Sequence, residues 1–204
     1  MDTTEVTRRK FVVGAAAGSI AAGLVTPLAA QEKEKAKQVD EPKGPVEAKF
    51  ERDYEPPAFK PSWSKEQINR QLLQDFIILA HSDLDMVKKL LEREPSLING
   101  AMDWGGGDFE TALGGASHMG RRDIVEYLLE RGARIDIFCA AMMGQLEAVK
   151  SFLTLQPKLI DAKGPHGFSL HFHAQVGDTH SAAVLDYLQS IKKIELRPNP
   201  FKKK

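Results

Sequence analysis

Residues 110–136 read ETALGGASHMGRRDIVEYLLERGARID, and the fold turns on them. Thr111 stands where its side-chain oxygen can accept from the backbone of a first short helix and cap it. Gly120 permits a tight turn, and a second helix follows whose apolar residues Ile124, Val125, Leu128 and Leu129 recur at helical spacing. Gly132 supplies the left-handed residue that ends such a helix. The stretch is therefore a helix, a turn and a helix, each with its own start and stop signal.

Thr111, Leu113, Ala116, Gly120, Ile124, Val125, Leu128, Leu129, Gly132 and Ala133 together resemble one ankyrin repeat, with departures at Ala112, Gly114 and Gly115. Second helices of the same kind run from Leu84 through Leu91, Leu146 through Leu153 and Ala183 through Leu188. The steps between equivalent valines are 125−87=38, 149−125=24 and 184−149=35, against about 33 for an ankyrin repeat. The resemblance covers roughly Gln67 to Ile191 and implies an all-α chain: an α-solenoid of about four ankyrin-like helix-turn-helix repeats with long finger loops. The short step leaves the third repeat without a finger between Arg134 and Ile137. The connections 100–109 and 162–168 are long by contrast.

The flanks differ in composition. Arg8 and Arg9 precede a weakly apolar Ala/Gly-rich run, so residues 1–30 resemble a twin-arginine export signal. Periplasmic or secreted protein is the expectation, with an uncleaved membrane anchor as the alternative; otherwise the membrane is met only in transit. Residues 31–64 are rich in Lys, Glu and Pro and read as a disordered, charged linker. The repeat domain is placed at 65–196 and a basic, fraying tail at 197–204. With 28 basic and 28 acidic side chains the chain has no net field to draw it to nucleic acid. Cys139 is the only cysteine, so no internal disulfide can form.

Candidate chemistry is sparse. His166, His171, His173 and His180 cluster near the last repeat, but His171 and His173 lie two apart on a helix, about 200 degrees around it, and cannot share an ion. The resemblance makes His171 the ankyrin histidine that braces neighbouring fingers. Gly105-Gly106-Gly107 lacks the Lys-Ser or Lys-Thr of a phosphate loop and is flanked by Asp108 and Glu110. Asp103, Asp108 and Glu110 could form an acid–base pair, but finger loops are expected to be too exposed to shift their pKa values. Cys139 reads as a small core residue. No catalytic set, metal ligand or cofactor is assigned.

The function this implies is protein–protein interaction by a monomeric scaffold, its partner unidentified. The alternative is a small extracytoplasmic hydrolase or metal-dependent enzyme built on the same repeats. The missing finger predicts a notch walled by Trp104 and Phe109 on one side and His166 and Phe168 on the other. Met142 and Met143 form its floor, and His118 and Met119 occupy the corresponding groove positions of the preceding repeat.

Overall fold

In a computed structural model, the described residues are 46–201. Arg8, Arg9 and the rest of the expected signal lie outside them, as do residues 31–45 of the expected linker. Residues 46–64 carry no regular secondary structure and leave Phe50, Tyr54, Phe59 and Trp63 exposed.

The remainder is mostly helical, with eight α-helices and one small hairpin among the described residues. The helices are α1 (Arg70–Leu79), α2 (Leu84–Arg93), α3 (Ala112–His118), α4 (Arg122–Glu130), α5 (Ile137–Met142), α6 (Leu146–Leu155), α7 (Leu170–Val176) and α8 (Ala182–Ile191). Each odd-numbered helix packs on the even-numbered helix that follows it, and α1, α3, α5 and α7 pack in succession on one another. No helix among the described residues is long and apolar enough to cross a membrane.

Local chemistry sets the helix starts. The side chains of Asn69, Asp83, Thr111, Asp136 and Ser169 each accept from a backbone N–H inside the helix they precede, at 2.8–3.2 Å. Such a cap typically contributes about 1 kcal/mol. Between paired helices Gly144 adopts φ 74°, and a Cβ there would lie 2.0 Å from the carbonyl oxygen of His180. The turn after α5 thus fits against the next pair only as glycine.

Two apolar clusters meet at α5. Cys139 and Met142 join Phe76, Val87, Leu97, Ile124, Val125 and Leu128. Ile137, Ala140 and Ala141, on the other side of the same helix, join Val149, Leu153, Leu170, Val184 and Leu188. Each large apolar side chain buried in this way contributes about 1.5–3 kcal/mol.

The hairpin pairs β1 (Ala101–Asp103) with β2 (Phe109–Thr111), Met102 facing Glu110 and Asp103 facing Phe109. Because side chains alternate along a strand, Met102 and Glu110 turn inward together while Phe109 stays 64% exposed. The expectation of an exposed Glu110 is corrected by this alternation: the residue is 1% exposed.

Two further expectations fail on packing. Met142 and Met143, foreseen as the floor of an open notch, are buried in the core cluster. The notch itself is bridged by the hairpin and the loop ahead of α7, which leaves a shallow cleft rather than an open groove. Asp108 of the hairpin accepts from His166 of that loop. The C-terminal segment does not fray over its described part. The Arg197 carbonyl accepts from Gln175, and the Phe201 ring lies 6.0–6.1 Å from the rings of His118, Phe168 and Phe172.

Candidate functional site

Where the hairpin, the end of α1, α3 and the loop before α7 converge, one carboxylate is surrounded by three imidazoles. Glu110 is delivered by the inward register of β2, His81 follows the end of α1, His118 ends α3, and His166 comes from the loop. One ligand atom from each of the four lies within 4.8 Å of every other. Glu110 Oε1 is 3.2 Å from His118 Nδ1 and 3.6 Å from His81 Nε2, and Glu110 Oε2 is 3.5 Å from His166 Nε2.

The outer contacts orient these groups. The Trp104 indole N–H donates to Glu110 Oε2 at 2.8 Å. His81 Nδ1 lies 2.9 Å from the Ile77 carbonyl oxygen, which can only accept, so Nδ1 carries the proton. His166 Nδ1 lies 2.9 Å from Asp108 Oδ2 in the same sense. Both rings therefore turn Nε2 toward Glu110. His118 Nδ1 and Glu110 Oε1, though close, are misaligned for a hydrogen bond, and both are buried without one.

Burial pushes the Glu110 carboxyl toward protonation, but the His118 contact, the charges of His81 and His118 and the Trp104 hydrogen bond outweigh it. Its pKa is held below the usual carboxylate range. The backbone N–H of His166 is the main cause that holds Asp108 low as well. At neutral pH two carboxylates thus face the imidazoles in their ionised form, a donor set able to hold a cation.

Room for the rings comes from α3. Gly114 and Gly115, which depart from the ankyrin pattern, line the site: a Cβ on Gly115 would lie 2.7 Å from His81 Cε1, and one on Gly114 would lie 3.4 Å from Pro165 Cγ. His166 has φ 58°, ψ 20°, a left-handed conformation costly for a residue with a side chain. Asp108 holds it there by accepting from the backbone N–H as well as the ring.

The residues singled out from sequence are distributed around this cluster. Trp104 is half-buried against Glu110, Phe109 projects at the hairpin, and Phe168 stacks on Phe172 with centroids 4.3 Å apart. His118 is buried inside the cluster rather than facing an open groove. Met119 lines a separate cleft of about 500 Å³ with Gln175, Val176 and Phe201. His171 Nε2 contacts the Lys192 carbonyl, and His173 Nδ1 that of Ser169. The Gly105-Gly106-Gly107 loop is closed on itself, since Asp103 Oδ1 accepts from Gly105 N–H and Gly107 N–H. Cys139 is buried and its thiol pushed up to about 12 by burial, which leaves it inert as a nucleophile.

Sequence reasoning missed His81 altogether and read Glu110 as solvated. Compared with protein-family models, curated proteins and solved structures, the chain finds no match.

Proposed function

We propose that the chain is an ankyrin-like stack of four helix-turn-helix units, exported by the twin-arginine route, whose work is to recognise another protein through its loop edge. The observation that carries this reading is the union of the two long connections: the hairpin and the loop before α7 are tied to each other through Asp108 and His166 at one edge of the helix pairs. Loops held on a helical scaffold in this way present side chains without the entropy cost of ordering them on binding.

The face on offer is the shallow cleft of about 250 Å³ between those loops. It is lined by Phe109, Phe138, Lys163 and Pro165 among others. Phe109 is the anchor, an aromatic ring largely in water beside a concavity, the type of residue whose truncation often costs about 2 kcal/mol or more of binding energy. Affinity capture from the periplasm with the wild-type chain and with Phe109→Ala tests the reading. A specific protein retained by the first and lost by the second, at equal melting temperature, is the expected result. Equal capture by both would move the interaction surface elsewhere. Replacing Arg8 and Arg9 together by lysine should hold the precursor in the cytoplasm.

The metal-dependent alternative draws on one observation, the His81, Glu110, His118 and His166 cluster.

A further inference from the structure

We infer that Glu110, His81, His118 and His166 form a binding site for one divalent first-row transition ion, of which zinc is the natural probe. The inference is independent of the protein-recognition reading and rests on spacing, orientation and unmet bonding.

Spacing separates a metal site from a hydrogen-bonded one. The three nitrogens stand 3.2, 3.5 and 3.6 Å from the Glu110 oxygens. A charge-assisted N–H to carboxylate bond draws its partners to about 2.7–2.9 Å. Two ligands on one tetrahedral ion, with bonds of about 2.0–2.2 Å, are held about 3.3–3.5 Å apart instead. The His118 and His81 nitrogens, 3.2 and 3.6 Å from Oε1, stand near the second spacing, and one ligand atom from each of the four residues lies within 4.8 Å of every other.

Orientation agrees. Because His81 and His166 direct Nδ1 at the Ile77 carbonyl and at Asp108, both rings turn Nε2 toward the Glu110 carboxylate. The three imidazoles crowd this one carboxylate, with the His81 and His118 ring centroids 4.8 Å apart and those of His118 and His166 5.3 Å. A single divalent ion satisfies all four groups at once. Its charge is balanced by Glu110 together with Asp108 behind His166.

The contacts behind the ligands are those metal sites use. An imidazole that binds through one nitrogen and donates its other N–H to a carbonyl or carboxylate has its tautomer and ring plane fixed, as His81 and His166 have here. The indole N–H of Trp104 occupies Glu110 Oε2 and leaves Oε1, buried and unbonded, to face the ion. His118 Nδ1 is the second buried atom without a bond that one ion would satisfy. Three imidazoles and one carboxylate suit Zn²⁺, Co²⁺ or Ni²⁺ better than the oxygen-seeking Ca²⁺ or Mg²⁺.

The test uses the full chain purified without a histidine tag, stripped with chelator and titrated with Zn²⁺ by calorimetry. One ion per chain is expected, and Co²⁺ in its place should give visible absorption bands of a nitrogen-rich site. Glu110→Gln and His118→Ala should each weaken binding at least tenfold, while His180→Ala, outside the cluster, should not. If a buried substitution unfolds the chain by circular dichroism, His166→Ala decides, since that residue sits on an exposed loop. Failure of the wild-type chain to take up stoichiometric zinc overturns the inference. So does uptake that His166→Ala and Glu110→Gln leave unchanged.

Discussion

Asp108 and His166, 58 positions apart in sequence, are joined twice: one carboxylate oxygen accepts from the backbone N–H and the other from the ring Nδ1, each at 2.9 Å. The pair ties the hairpin to the loop ahead of α7. It also fixes His166 in a left-handed backbone conformation while aiming its Nε2 at Glu110.

That backbone conformation separates two substitutions. His166→Ala and His166→Gly both delete the ring and its bond to Asp108, but only glycine adopts φ 58° without steric cost. The glycine variant should be the more stable of the two by about 1 kcal/mol in urea unfolding. Equal stabilities would mean that the loop relaxes once the ring is gone.

Gly115→Ala should separate site from fold. Its methyl group would lie 2.7 Å from His81 Cε1 and 2.9 Å from Nδ1, so the ring must move. Alanine is favoured over glycine inside a helix by about 1 kcal/mol, which offsets the disturbance to the fold. We expect at least a tenfold loss of zinc affinity with a melting temperature within about five degrees of wild type. Unchanged affinity would show that His81 is not a ligand.

Leu128 lies at the centre of the larger core cluster, fully buried. Leu128→Ala should cost about 2–5 kcal/mol. A shift of less than a degree in a thermal melt would contradict the packing of α4.

Acidification should unfold the chain partly through His173. Burial pushes this imidazole down to about 4 from its ordinary 6.5, against the hydrogen bond with the Ser169 carbonyl. Between those two values the unfolded chain binds a proton that the folded chain does not, so stability falls as pH drops through that window and is unaffected by this group above it. The full loss is about 3 kcal/mol, complete near pH 4. Urea unfolding at pH 7 and pH 4.5 should show a smaller drop for His173→Gln than for wild type. Parallel drops would place the acid sensitivity in other groups.

Much of the helical framework was legible, because the signals for it are local. Thr111 caps α3 as its position before Ala112 implies, and the Ile124, Val125 and Leu128 spacing buries the same face it predicts. The site was not legible for the opposite reason. Its ligands come from the end of one helix, a strand, the end of another helix and a distant loop, with no spacing between them that chemistry would require. Glu110 was misread because a three-residue strand is too short for its alternation to be seen without its partner Met102. One signal was present: Gly114 and Gly115 break the ankyrin pattern where the His81 ring and Pro165 need room. Likewise nothing in the short connection between α4 and α5 announces the contact between Asp108 and His166.

Anomalous diffraction at the zinc edge, from crystals grown with one equivalent of zinc, would locate an ion among these four side chains. One anomalous peak enclosed by Glu110, His81, His118 and His166 is expected. A cluster with no peak, or zinc found only at His171, His180 or surface carboxylates, would contradict it.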